Sequence, residues 1–322
     1  MPVKTLKIID MKRSSSILKP IRVCLLLLLV ASNFQLQAQD LEPRRWSHLP
    51  MDLNVVGLGG GWTNGDMFLD PVLLAEDVTY DLYIGAAGYV RTFELLGKSS
   101  RFDFTVPYGA GRWEGYLDGE YASVRRRGFL DPVMRFSINL YGAPPLATKD
   151  YVQYRRENPV TTTVGAALGI RLPLGDYNEE WLINLGNNRF YVRPQLGVLH
   201  QRNKWQFELT GSVFLFQKND EFWQGSERKQ DPLWFTQGHV IYSFKPRYWA
   251  SLSFGYALGG TNEINGIDKD DAYRKRYMAL SFGFPIAARQ SMKFTYFAAD
   301  SNTSKGVNTD AWLVGWSINW GG

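Results

Sequence analysis

Residues 101–108 read Arg101-Phe102-Asp103-Phe104-Thr105-Val106-Pro107-Tyr108. Successive side chains of an extended strand point to opposite faces. Phe102, Phe104, Val106 and Tyr108 therefore share one face, and Arg101, Asp103 and Thr105 share the other. A strand set between lipid and a polar interior has this pattern. The same period of two recurs along the chain. Arg135, Ser137 and Asn139 alternate with Phe136, Ile138 and Leu140. Arg189, Tyr191, Arg193 and Gln195 alternate with Phe190, Val192, Pro194 and Leu196. Gln206, Glu208 and Thr210 alternate with Phe207 and Leu209. Trp312, Val314, Trp316, Ile318 and Trp320 line one face near the C-terminus.

Twelve such segments stand near 53–62, 79–91, 100–108, 131–141, 161–172, 189–200, 204–216, 233–244, 247–259, 276–285, 290–298 and 310–320. A tilted membrane strand needs about 9–11 residues, whereas strands of globular proteins centre on about five or six. Most of these segments meet the longer requirement, which argues against a soluble β-sandwich. The expected fold is all-β, a transmembrane antiparallel up-and-down barrel of about 12 strands over residues 53–320. Connectors after odd-numbered segments are long, as in Thr63–Val78, Gly109–Leu130, Gln217–Pro232 and Gly260–Lys275. Most after even-numbered segments are short, as in Gln201–Asn203 and Lys245–Pro246. Long loops outside and short turns in the periplasm are usual for such barrels, and an even strand number puts both termini in the periplasm. Gly142–Val160 departs from the rule. It reads either as an interfacial helix with Tyr151, Val152 and Tyr154 toward lipid or as a plain polar excursion. Trp62, Tyr108 and Trp113 are expected at one membrane interface, and Trp205, Tyr248, Trp249 and Trp320 at the other.

The first 38 residues read as a secretory signal peptide: a basic front, the apolar run Val23–Ala31, and Ala38 before the expected cut. The apolar run is far shorter than the roughly 20 residues of a spanning helix. Residues 39–52 are expected to be a periplasmic N-terminal segment, and the destination is the bacterial outer membrane. The leader holds six of the 36 basic residues and one of the 31 acidic ones, so thirty of each remain after it. No basic excess is left to suggest nucleic acid as a partner. The single cysteine, Cys24, lies in the leader, so the exported chain has no thiol for a disulfide, a metal or a nucleophile.

Two stretches carry a family resemblance. One is Gly128-Phe129-Leu130-Asp131-Pro132. The other is Leu172-Pro173-Leu174-Gly175-Asp176-Tyr177, followed by Leu185-Gly186-Asn187-Asn188-Arg189 and Arg193-Pro194-Gln195-Leu196-Gly197. They resemble the outer-membrane family called "putative MetA-pathway of phenol degradation". Leu130 stands where the pattern has a second glycine, and Leu174 where it has a small residue. The resemblance implies a barrel that carries small, often aromatic or hydrophobic, compounds. From the residues alone, Gly175-Asp176 and Asn187-Asn188 read as positive-φ turn positions. Asp131-Pro132 opens a strand where the missing N–H is harmless, and Gly128, Pro173 and Gly186 complete the turn set.

A charge on the lipid face costs about 2–4 kcal/mol at the midplane. Arg101, Asp103, Arg135, Arg171, Arg193, Glu208 and His239 are therefore expected to face the lumen. Two readings stay open for them: aligned arginines that favour anions, or an ion-pair network that plugs a narrow lumen. Arg125-Arg126-Arg127 is expected at the outer surface, where lipid phosphates are natural partners. His239 and Ser243 lie four residues apart on one face, about 13 Å along a strand, too far for a catalytic hydrogen bond; a cross-strand partner stays open. Asp268, Asp270 and Asp271 lack an EF-hand's glycine and glutamate, and no cofactor or metal is expected. The functional reading is a monomeric, non-enzymatic barrel for passive uptake of small organic compounds. Outer-membrane lipid, lipopolysaccharide, the barrel-insertion machinery and a solute are its expected partners. A closed structural or surface-interaction barrel is the second reading, and a barrel-embedded hydrolase using His239 the third.

Overall fold

The computed structural model describes residues 41–68, 75–117, 119–181, 183–301 and 306–322. The leader expected at 1–38 lies outside them. The wall is formed by β1 (Leu53–Phe68), β2 (Ala75–Leu95), β3 (Lys98–Leu117), β5 (Val133–Tyr141), β6 (Val160–Arg171), β7 (Tyr191–Arg202), β8 (Trp205–Phe216), β11 (Leu233–Lys245), β12 (Tyr248–Gly259), β15 (Tyr273–Ala287), β16 (Gln290–Ser301) and β18 (Thr309–Gly321). Each pairs antiparallel with its neighbours. Val55 faces Val90 of β2 on one side and Asn319 of β18 on the other, so first and last strands close the ring. Closure pairs the edges that an open sheet would leave bare in lipid. The chain is thus a twelve-stranded antiparallel closed barrel. Leu53 opposite Gly321 brings both ends of the wall out at the same rim.

At the opposite rim several segments read as loops are strand. β3 continues past Gly109 to Leu117 and pairs with β4 (Glu120–Phe129). The later loops hold β9 (Asn219–Trp223), β10 (Ser226–Gln230), β13 (Asn262–Ile264) and β14 (Ile267–Asp268), which form a four-stranded cap sheet. The short β17 (Gly306–Val307) extends the pairing of β1. Polar, Gly-rich composition hid these hairpins, because above the membrane neither face needs to be apolar.

Inside, the two halves of the barrel differ. Toward the cap, Phe214, Leu233, Phe235, Tyr277 and Phe297 are buried in one apolar cluster. Leu82, Trp113, Leu130, Ile183 and Leu185 belong to a second. Toward the rim that holds the termini, the inward side chains are polar and an N-terminal segment lies among them. Residues 39–52 were expected in the periplasm; the described part turns into the barrel instead. Trp46 is 1% exposed and donates Nε1–H to Thr210 Oγ1 at 2.7 Å. A Cβ on Gly197 would lie 1.9 Å from Trp46 Nε1, and one on Gly165 2.5 Å from its ring. Those two glycines are the slot that seats the indole.

A helix, Thr148–Glu157, covers the exit of this segment. Tyr151 and Tyr154 meet the His48 ring edge-on at 5.0 and 5.5 Å, and Tyr151 donates to the His48 carbonyl. They therefore bind the N-terminal segment rather than lipid; Val152 alone of the three is exposed. Two expected interface aromatics also turn inward. Trp113 is buried in the second cluster, and Trp249 packs where a Cβ on Gly283 would stand. Strand phase explains both, since each lies an even number of residues from an inward neighbour, Gly111 and Ser251.

Trp46→Ala should leave the wall intact but weaken docking of the segment by about 3 kcal/mol, as for a buried tryptophan. Limited proteolysis of the folded barrel checks this: residues 41–50 should become cleavable while heat-modifiable migration on gels is unchanged.

Candidate lumenal site

The lumen is polar at its base. Asp103 on β3 sits between Arg101 (2.9 Å), Arg45 of the inserted segment (3.5 Å) and Arg135 (4.0 Å). Arg45 also grips Glu42 at 2.7 Å, and its backbone N–H donates to Glu208. Lys293 reaches Glu42 from the far wall at 3.5 Å. Arg135 donates to Gln195 and lies over the Trp46 ring at 5.0 Å. Arg193 donates to Ser212 and stacks on Phe214 at 4.3 Å. Arg101, Asp103, Arg135, Arg171, Arg193, Glu208 and His239 all point inward, and all but Arg101 are buried. The structure joins Arg101, Asp103 and Arg135 into one network and ties it to the inserted segment.

His239 finds its partner across the strand pair, not along it. Nδ1 lies 2.7 Å from Ser253 Oγ, and Ser253 is its register partner on β12, with Glu208 opposite on β8. Sequence spacing along one strand cannot reveal a contact made between strands.

Above this base lies a cavity of about 320 Å³. Leu41, Ile84, Leu130, Leu185, Tyr191 and Leu313 give it a largely apolar lining, Gly59, Gly61 and Gly315 make room on the β1–β18 wall, and Glu42, Arg45, Lys293, Asp131 and Arg171 also border it. Pockets for small organic ligands begin at about this size and are lined mostly by apolar groups. Sequence reading did not single these residues out, because it looked to charged side chains for the lumen. For the wall residues phase was the available signal: Tyr191 stands two residues from Arg193 and four from Gln195, on the same inward face.

The family-motif residues meet at the edge of this cavity. Asp131 interrupts the run from β4 to β5. Its carboxylate accepts from the N–H of Gly175 at 3.0 Å and from both the backbone and side-chain amides of Asn187 at 2.9 Å. Arg171 stands 3.6 Å away. Asp176 bonds Phe129 twice, its N–H donating to the carbonyl at 2.8 Å and its carboxylate accepting from the N–H at 2.7 Å. Gly186 donates to the Asp176 carbonyl. Gly175 and Gly186 cross so closely that a Cβ on either would lie 2.7–2.8 Å from the other. This corrects the turn reading of Gly175-Asp176: neither has positive φ, whereas Asn188 does, at 50°. The glycines answer a close approach of backbones, not a turn. Gly128 likewise leaves the space taken by the Asp176 carboxylate. Pro132 sits at the break, and its carbonyl accepts from Leu172.

Residues 63–320 match the model of the family described as "Putative MetA-pathway of phenol degradation". The chain belongs to that family. Among solved structures it is similar to the COG4313 outer membrane channel from Pseudomonas putida F1, at 18% identity and a TM-score of 0.70, covering 87% of this chain and 99% of that one. It is also similar to the transport unit of the autotransporter AIDA-I from Escherichia coli, at 11% identity and a TM-score of 0.50, covering 91% and 95%. No curated protein matches. At these identities the structural likeness carries the fold alone, a closed barrel of the kind those two outer-membrane proteins have.

Two outcomes test the site. Burial alone would raise the Glu42 carboxyl, but Arg45, Lys293, Arg101 and Arg135 outweigh it and hold it at about 2, against an ordinary 4.5. A depressed folded value stabilises docking above the ordinary value and is lost as pH falls through the folded one. Release of the segment, followed by tryptophan fluorescence, should therefore rise between about pH 4.5 and 2 and lose that step in Glu42→Gln. Separately, Gly175→Ala should destabilise the motif crossing by about 1–3 kcal/mol, as overpacking does, seen as a lower thermal midpoint.

Proposed function

We propose that this barrel passes small hydrophobic or aromatic organic compounds passively across the outer membrane, as a monomer embedded in outer-membrane lipid and lipopolysaccharide. The observation that carries the reading is the largely apolar cavity, bordered below by Glu42, Arg45 and Lys293 of the polar base. A greasy chamber favours an organic solute over ions. The inserted segment and the Asp103 network stand across the path below, so the arginines serve as a seal rather than a selectivity row. Conductance of the intact chain in planar bilayers should be small, and should increase when residues 41–49 are deleted. A wide, steady, anion-selective conductance of the intact chain would overturn the seal.

The Asp131–Asp176 crossing supports a sideways route out of the chamber. Over Phe129–Pro132 the wall is held to loop 172–187 by individual bonds from Asp131 and Asp176 rather than by a continuous strand ladder, and Leu130 and Asp131 line the cavity there. Fewer backbone bonds per length make this the easiest place to open. A disulfide engineered by Phe129→Cys with Asp176→Cys should abolish toluene uptake by cells producing the barrel, with recovery on reduction. Uptake unchanged under oxidising conditions would rule out the sideways route and leave the axial one.

A further inference from the structure

Where the loop before β7 meets the underside of the cap sheet, three arginines are buried together. Arg171, Arg189 and Arg228 are 6%, 1% and 4% exposed. Arg228 donates Nε–H to Asn262 at 2.9 Å and lies over the Phe222 ring. Arg171 lies 4.6 Å over the Tyr191 ring and 3.6 Å from Asp131. Arg189 is the anomaly. Its Nη2 donates to Gln230 Oε1 and its guanidinium stacks 4.7 Å over Phe216, but Nε and Nη1 are buried with no hydrogen-bond partner among the described residues.

No carboxylate of the described residues hydrogen-bonds Arg189. The carboxylates that act on Arg189 and Arg228 are chiefly Asp131 and Asp271. Asp131 already accepts from three amide N–H groups, and Asp271 from the backbone and side chain of Asn262. Arg189 is left as a buried guanidinium whose Nε and Nη1 meet no carboxylate among the described residues. An uncompensated buried charge is costly, and an anion that pairs with it recovers the cost. Burial, then repulsion from Arg228 and Arg171, holds Arg189 well below the usual guanidinium value. Arg228 is lowered to about 10, chiefly by burial.

The cluster adjoins the chamber. Arg171, Asp131, Asn187 and Tyr191 all line the cavity, Arg189 follows Asn187 by two residues, and Tyr191 packs edge-on against the Phe216 that carries Arg189. We propose that the Arg171–Arg189–Arg228 cluster binds the carboxylate of an amphiphilic organic acid whose apolar part lies in the cavity. One guanidinium without a counter-charge fits a monoanion better than a dianionic phosphate, and guanidinium N–H groups match the geometry of a carboxylate. The inference rests on the uptake reading and narrows its solute class.

The test is isothermal titration of the full exported chain in phosphatidylcholine nanodiscs with decanoate and with decanol, which share a tail and differ in charge. Decanoate should bind at least about tenfold more tightly, the worth of one charge-assisted hydrogen bond. Arg189→Gln should erase that difference while leaving decanol binding unchanged, Arg189→Lys should restore part of it, and Arg228→Gln should weaken decanoate alone. The wild-type comparison needs no variant, so a variant that fails to fold leaves the test standing. Equal binding of both ligands overturns the anion site and leaves the apolar chamber. Binding of neither overturns the uptake reading as well. A decanoate preference untouched by both glutamine variants overturns the location.

Discussion

Within a bilayer no water is present to satisfy a backbone N–H or C=O, so each must find a partner in the protein. Everything else in this structure depends on how that demand is met. β1 meets it on both sides, with β2 and β18, and the ring has no free edge. Once the wall is closed, alternate side chains must go to lipid or to the interior, which is why a strand such as Arg101–Tyr108 is charged on one face and apolar on the other. Side chains thereafter can vary widely on the inner face without endangering the wall.

The inner face uses that freedom unevenly. Its lower half is polar and is occupied by the N-terminal segment, held by Trp46 in a glycine slot and by Arg45 and Glu42 in an ion network. Its upper half is packed with aromatic and aliphatic side chains around a chamber. Below, Asp103 gathers Arg101, Arg45 and Arg135, and Arg193 is held by Ser212 and the Phe214 ring. The chamber meets charge at both ends, at the Glu42–Arg45–Lys293 network and at Asp131 and Arg171 toward the arginine cluster under the cap.

At one place the wall relaxes its own rule. Between Phe129 and Pro132 the strand ladder is interrupted and loop 172–187 supplies the partners, through two aspartates and two crossing glycines. Backbone satisfaction is maintained there by side chains rather than by a neighbouring strand. Residues 128–132, 172–177 and 185–187, most of the stretches that carry the family resemblance, lie at this crossing, beside the chamber and the buried arginines.

The sequence by itself determined the class of fold and the strand count, and it assigned Arg101, Asp103, Arg135, Arg171, Arg193, Glu208 and His239 to the polar faces of their strands. All of these follow from a period of two and from the cost of charge in lipid, which act locally along the chain. It also carried the family motifs, though not their purpose. Only the tertiary structure decided that residues 41–50 enter the lumen, that Trp113 and Trp249 face inward, that His239 pairs with Ser253, and that Gly175 meets Gly186. Each of those is a contact between segments far apart in sequence. The pattern of one strand fixes which way a side chain points, but barrel closure and register fix what it meets.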